Sequence, residues 1–490
     1  MPIKSNGITR FRRPLLVLLA LAAAVEAMGK PVFPLHSAAN GRYLVDRKGA
    51  PFLMIGDAPH SLIVNLDTAD ETTYLVNRGK NGFNSLWIEL LCNSYTGGPG
   101  MEEQPSLLER LRAWTKHTDA SQANYGHDIN NNNPFTNTLP GGYYDLSTPN
   151  PAYWSHVDWL AQTAATNGLQ CFFTPLDEGG WMKTALANGT NGCFQYGRFL
   201  GNRYQDYPNI FWCMGNDFQN WRMPTNDAVI LAIANGIRSA DTHHPMTIEL
   251  NFWTSDSLAD PKWAPEVSVD GIYTYYMPYT ESLAGYNRAN HVPCLFLESN
   301  YEFENNTGRQ PPVPLVLRLQ EYESLLSGCL AGHMYGNHYT WTFASDWQSH
   351  LDTAGSAQLR LFSHFFTNVS WFNLVPDQAH RLVTSGYGTF DTNNDFRLTA
   401  NNYATAAQSP DGTLGVVYCP KSTTLTLCLT NFAGPVTAKW YDPTAGAYAP
   451  AAGSPFANTI GVTNLPTPGN NAAGDPDWVL LLEAGSSTNH

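Results

Sequence analysis

The sequence predicts an α/β fold, a (β/α)8 TIM barrel followed by a small C-terminal antiparallel β-sandwich, and three observations carry that expectation. From about residue 52 to residue 367, short apolar runs alternate with amphipathic stretches, the pattern of repeated βα units around a parallel sheet. Eight such runs follow in series, each almost continuously apolar, as strands covered on both faces are. Beyond Pro376 the pattern changes to short alternating runs punctuated by Gly, Pro and Asn, which marks antiparallel strands joined by turns. An open doubly wound sheet would show a glycine fingerprint after its first strand, and Gly56-Asp57-Ala58-Pro59 lacks one.

The elements begin with an expected signal peptide over residues 1–27. Lys4, Arg10, Arg12 and Arg13 precede the apolar run from Pro14 to Val25, and Val25 and Ala27 supply small residues three and one positions before a cut. That run is well short of the roughly 20 residues a membrane-spanning helix takes, so secretion or release into a periplasm is expected, with no retained anchor. Residues 28–375 make the expected barrel domain. Its strands are read at 52–56, 85–91, 170–176, 210–214, 246–250, 269–275, 294–297 and 333–335. A long insertion follows the second strand, rich in Asn and Gly from Asn130 to Gly142, before a helix containing Val157 to Ala161. Insertions placed after a barrel strand shape the catalytic face. Residues 376–490 make the expected sandwich, with strands at 414–418, 424–429 and 436–441 and a frayed tail from Ala484.

Composition narrows the partners. A formal charge of −14 repels phosphate backbones and anionic lipid heads, which argues against nucleic acid and membrane surfaces. Aromatic residues make up 12%, with 14 Trp and 24 Tyr, and flat rings suit stacking on the apolar faces of sugars, so an oligo- or polysaccharide is the expected partner. The sequence contains no CxxC or HExxH spacing, so neither a metal nor another cofactor is expected. Cys92, Cys171, Cys213 and Cys294 lie in apolar strands and read as buried free thiols, whereas Cys419 and Cys428 lie on successive strand-like runs and are candidates to pair.

Chemistry in such barrels sits at the C-terminal ends of the strands. The fourth strand ends in Gly215-Asn216-Asp217 and the seventh in Glu298, two ends that face each other across the central pocket. Retaining glycosidases need two carboxyl groups about 5 to 5.5 Å apart, one protonating the leaving oxygen and one attacking the anomeric carbon. Asp217 is therefore expected as general acid/base and Glu298 as nucleophile, with Asn216 contacting the hydroxyl next to the reacting carbon. The adjacent pair Asp177-Glu178 after the third strand is the rival, but neighbours on a loop diverge and cannot easily flank one bond.

The order Gly56-Asp57, Gly215-Asn216-Asp217, Glu298-Ser299-Asn300-Tyr301-Glu302, then Tyr335-Gly336 with Trp341, resembles the apiosidase-like glycoside hydrolases of family 140. Lys439-Trp440-Tyr441-Asp442-Pro443-Thr444-Ala445-Gly446 matches the signature of their C-terminal module, which carries a collagen-binding label. The resemblance implies a retaining barrel enzyme acting on apiose-containing pectic side chains, with Asp217 as acid/base and Glu298 as nucleophile. Family members usually continue the first motif as Gly-Asp-Thr-Ala-Trp. Here it reads Gly56-Asp57-Ala58-Pro59-His60, which replaces a stacking surface with a hydrogen-bonding one.

Further substrate-binding candidates are Asp57 after strand one, His60, Glu89 within strand two, Tyr275 at the end of strand six as a partner for the nucleophile, and Trp341 after strand eight as a floor for the sugar. His333 and His338 lack metal-ligand spacing and read as structural or polar contacts. Two other functions stay open. One keeps the mechanism on a β-glucan, galactoside or arabinoside. The other is a non-catalytic protein that binds carbohydrate or matrix.

Overall fold

A computed structural model describes residues 31–92, 126–218, 224–250, 254–304, 313–343, 346–392 and 397–485. The expected signal peptide and the first part of the insertion, residues 93–125, lie outside the described residues.

The barrel strands are β1 (Met54–Asp57), β2 (Ser85–Glu89), β3 (Gln170–Thr174), β4 (Ile210–Met214), β5 (Met246–Ile248), β6 (Asp270–Thr274), β7 (Cys294–Glu298) and β8 (Gly332–Tyr335). They pair in parallel from β5 back through β1 and on through β8 and β7 to β6. Between β5 and β6 the ladder is interrupted. A short strand, Thr254–Asp256, runs antiparallel to β6 there, and Ser257 spans the gap. Its hydroxyl donates to the Ile248 carbonyl at 2.5 Å and accepts from the Gly271 N–H at 2.9 Å.

The strands are apolar on both faces because two layers cover them. Met54, Trp87, Phe172, Phe211, Cys213, Leu295, Leu297 and Met334 fill the barrel interior. The outward residues pack under helices α1 (Thr68–Lys80), α2 (Pro151–Thr166), α3 (Glu178–Tyr204), α4 (Pro224–Arg238), α5 (Pro278–Tyr286), α6 (Pro314–Leu326) and α7 (Ala354–Thr367). Their starts follow local chemistry. Asp67 caps α1 by accepting from the Ala69 and Asp70 N–H groups, Asn150 caps α2, and α2, α5 and α6 carry proline in the first turn.

The C-terminal unit consists of β9 (Val375–Pro376), β10 (Val383–Ser385), β11 (Thr405–Gln408), β12 (Leu414–Cys419), β13 (Thr424–Cys428), β14 (Val436–Asp442), β15 (Ala447–Pro450), β16 (Val462–Pro466) and β17 (Trp478–Ala484). A six-stranded antiparallel sheet, ordered β9-β11-β12-β17-β14-β15, and a three-stranded sheet, ordered β10-β13-β16, bury one core between them. Cys419 and Cys428, the candidates to pair, are both free thiols. Cys419 ends β12 and Cys428 ends β13. At about 3.3 Å per residue, the five residues of β13 carry the second thiol some 13 Å beyond the connecting turn, past the Cα separation of about 4.4–6.8 Å that a disulfide tolerates.

The sandwich is fixed to the barrel through α6. Arg318 makes a bidentate pair with Asp477, 2.9 Å to each oxygen, and a further contact to Asp475 at 2.7 Å. Tyr322 of α6 stacks on Tyr418 of β12 with ring centroids 5.0 Å apart. The same helix reaches the strand ends. Gln320 accepts from the Asn300 N–H at 3.0 Å and donates to the carbonyls of Thr274 and Tyr276 at 3.0 and 3.3 Å.

Candidate active site

Among the described residues, eight line a cavity of about 130 Å³ at the C-terminal end of the strands: His60, Asn216, Asp217, Tyr275, Glu298, Tyr301, Glu304 and Trp341. They come from the segments after β1, β4, β6, β7 and β8, so residues far apart in sequence converge because the sheet curls.

The strand-four exit is built to turn sharply. Gly215 has φ +79°, and a Cβ there would lie 2.8 Å from the Glu249 carbonyl oxygen, so glycine is required. Asp217 also takes a left-handed conformation, φ +53°, which Asp and Asn tolerate better than most residues. Two buried carboxyl groups hold this turn. Glu178 accepts from the Asn216 N–H at 2.7 Å, and Glu249 accepts from the Asp217 N–H at 2.9 Å.

Opposite, Glu298 Oε1 accepts from Tyr275 Oη at 2.8 Å, and Tyr273 Oη donates in turn to Tyr275 Oη at 2.9 Å. Burial lifts the Glu298 carboxyl to about 7, while hydrogen bonds from Glu249, Tyr275 and Tyr273 oppose that rise. Asp217 is pushed well above the usual carboxylate range, first by burial and then by the charge of Glu298. Its Oδ1 has no hydrogen-bond partner among the described residues. Two carboxyl groups, one held protonated beside another that ionises near neutrality, can move a proton and attack an electrophilic carbon.

The pocket wall is aromatic and polar. His60 Nε2 lies 3.0 Å from Tyr301 Oη, and burial depresses its imidazole to about 3, so the ring is neutral. Trp341 Nε1 donates to Glu304 Oε1 at 2.6 Å, and His338 Nδ1 lies 3.1 Å from the same oxygen, which fixes the indole at the pocket edge.

The structure thus gathers Asn216, Asp217, Tyr275, Glu298, His60 and Trp341 in one cavity, but two other candidates lie behind it. Asp57, expected to bind sugar hydroxyls, is fully buried. Its carboxylate pairs with Arg78 Nε at 2.7 Å and accepts from Tyr74 Oη at 2.5 Å and the Ala58 N–H at 2.9 Å. Three donors occupy it, so it braces α1 against β1. Glu89 is also fully buried, 3.6 Å from His60 Nδ1, and stands behind that ring without lining the cavity. Burial and then the Asp177 charge raise its carboxyl well above the ordinary range. The rival residues Asp177 and Glu178 are buried outside the lining.

Sequence reasoning did not single out Glu249, Glu304 or Tyr273, and it named Tyr301 only as part of the motif after Glu298. Glu249 stands next to β5, so a stricter search for polar residues that end apolar runs finds it. Glu304 sits six residues past Glu298 in a loop and carries no comparable signal. Among the described residues, Asp241, His243 and His244 form a group with ligand-type atoms within 4.8 Å of one another. It precedes β5 at the other end of the barrel, and the Asp241 carboxylate is already engaged by Trp212 Nε1 at 2.8 Å and His244 Nδ1 at 2.7 Å.

Comparisons with known proteins agree with this architecture. The family profile described as "Apiosidase-like, catalytic domain" matches residues 38–373, and the one described as "Putative collagen-binding domain of a collagenase" matches residues 393–483. No curated protein gives a significant match. Among solved structures, one titled "Glycoside hydrolase" is 20% identical with a TM-score of 0.69, covering 92% of this chain and 97% of its own. A glycoside hydrolase family 5 protein from Bacteroides vulgatus is 19% identical with a TM-score of 0.69, covering 92% of this chain and 93% of its own. Another structure from that organism, titled "a putative glycoside hydrolase", is 14% identical with a TM-score of 0.61 and covers 93% of this chain and 82% of its own. These likenesses establish the fold.

Proposed function

Because the chain belongs to the apiosidase-like glycoside hydrolases, we propose that it is a retaining enzyme in which Glu298 is the nucleophile and Asp217 the general acid/base. The observation that carries the reading is that both carboxyl groups line one cavity, with Asp217 pushed to hold its proton while Glu298 is hydrogen-bonded toward its ionised form.

In the first step a Glu298 oxygen attacks the anomeric carbon while the Asp217 proton passes to the departing glycosidic oxygen, and the bond between that carbon and oxygen breaks. The glycosyl group is then an ester of Glu298, and Asp217 is a carboxylate. In the second step Asp217 takes a proton from water as the water oxygen attacks the same carbon, which releases the sugar and restores both groups. Tyr275 steadies the Glu298 charge, Asn216 contacts the hydroxyl beside the reacting carbon, and Trp341 with His60 supplies the wall against which the ring rests.

The substrate proposed is a plant cell-wall glycan of the pectic, apiose-bearing kind, reached by an exported enzyme. The basic-then-apolar N-terminus supports export, and among the described residues no helix is long and apolar enough to cross a membrane. Screening sugars released from pectic and hemicellulosic oligosaccharides identifies the substrate. On it, Asp217→Asn and Glu298→Gln should each lose about 100-fold or more in kcat, and wild-type turnover in both refutes the assignment.

A further inference from the structure

Glu249 is the carboxyl group that touches both halves of the proposed machinery without touching the cavity. It is 1% exposed and absent from the lining. Its Oε2 accepts the Asp217 N–H at 2.9 Å, which fixes the left-handed turn that aims Asp217. Among the described residues its Oε1 is buried with no donor to satisfy it, while Glu298 is the carboxyl group that interacts with the same side chain by hydrogen bonding. A buried carboxylate oxygen with no donor is costly, whereas a carboxylic O–H aimed at a neighbouring carboxylate is satisfied.

We propose that Glu249 is a positioning residue that keeps its proton, its Oε2 holding the Asp217 backbone and its Oε1–H donating to Glu298. The proposal rests on the Asp217 and Glu298 roles given above. The groups facing Glu249 favour the neutral form. Asp217 after β4 and Glu298 on β7 are acids, Tyr273 on β6 is a neutral phenol, and Cys213 on β4 is a buried thiol. Burial and then the charges of Glu298 and Asp217 raise the Glu249 carboxyl well above the ordinary range, in agreement with the geometry. One carboxylic acid thereby does two jobs: it sets the direction of the acid/base and supplies the nucleophile with a donor that water cannot reach.

The test uses the full chain with Glu249→Gln and Glu249→Leu. Glutamine keeps an acceptor for the Asp217 N–H and a donor for Glu298, so kcat should stay within about tenfold of wild type. Leucine removes both, and kcat should fall about 100-fold with KM nearly unchanged, the size expected for losing a donor to a charged group. A readout independent of turnover is the Glu298 titration, followed by NMR of protein carrying carbon-13 in its glutamate carboxyls. It should move up by about one unit in the leucine variant and much less in the glutamine variant. An unmoved Glu298 titration in Glu249→Leu overturns the proposal. So does a Glu249→Gln enzyme as inactive as Glu249→Leu while Asp217→Asn retains turnover, because Glu249 would then be the acid/base itself. Loss of turnover in Asp217→Asn and Glu298→Gln tests the parent reading separately.

Discussion

Replacing Tyr275 by phenylalanine deletes the hydroxyl that donates to Glu298 Oε1 at 2.8 Å and leaves the ring in place. A hydrogen bond to a charged acceptor contributes about 1.5–3 kcal/mol, and 1.36 kcal/mol corresponds to one pKa unit, so the Glu298 carboxyl should rise by about one to two units. The lower figure is expected, because Tyr273 and Glu249 remain as donors. Turnover requires Glu298 ionised, so the acid limb of the rate profile follows its titration. From about 7 in the wild type, a one-unit rise reduces the ionised fraction at pH 7 from about a half to about a tenth, a loss of about fivefold from ionisation alone. The assay is kcat/KM against pH for Tyr275→Phe beside the wild type. The limb should shift to higher pH and the two enzymes should converge as pH rises. A uniform loss at every pH, with the limb unmoved, refutes the claim that Tyr275 acts by stabilising the Glu298 charge.

Other expectations rest on different contacts. Arg78→Met leaves Asp57 buried with its cation gone and should lower the unfolding free energy by about 3–5 kcal/mol, read by denaturant titration, with Asp57→Asn in the same chain restoring much of it. Glu304→Gln weakens the hold on Trp341 and should raise KM more than it lowers kcat in steady-state assays on the released-sugar substrate; an unchanged KM removes Trp341 from the binding wall. Around His156, Glu71 is lifted to about 7 by burial, and the His156 imidazole is raised by Glu71 and Asp128 against the opposing effect of burial. Both folded values exceed their unfolded ones, so the stability these groups contribute is present at acidic pH and is lost as pH rises, for Glu71 through about 7. The protection of amides in the 126–150 segment, which Asp128 ties to His156, taken as the exchange rate relative to that of an unfolded chain at the same pH, should fall from pH 6 to pH 8, and should stay nearly constant in His156→Gln.

Much of the architecture was legible in the sequence because burial on two faces leaves a plain mark. Ile210–Met214 reads as a strand for the same reason it is one: Phe211 and Cys213 enter the barrel interior and Ile210, Trp212 and Met214 meet the helices. The strand-end rule also led to Asp217, Glu298 and Tyr275. It failed at Asp57, which shares that position on β1 but meets Arg78, a partner twenty-one residues on whose direction no strand pattern encodes. Glu304 was invisible because its role depends on where the loop after β7 folds relative to Trp341. The missing Cys419–Cys428 bridge has the same origin, since adjacency in sequence says nothing about which sheet each strand joins.

The account turns on Asp217 and Glu298 serving opposite faces of one sugar. Azide rescue of Asp217→Ala and Glu298→Ala, with the anomeric configuration of the product read by proton NMR, addresses that claim. Azide should replace water in the second step of Asp217→Ala and give a glycosyl azide of retained configuration, whereas in Glu298→Ala it should take the place of the carboxylate and give the inverted one. The same configuration from both variants would contradict the account.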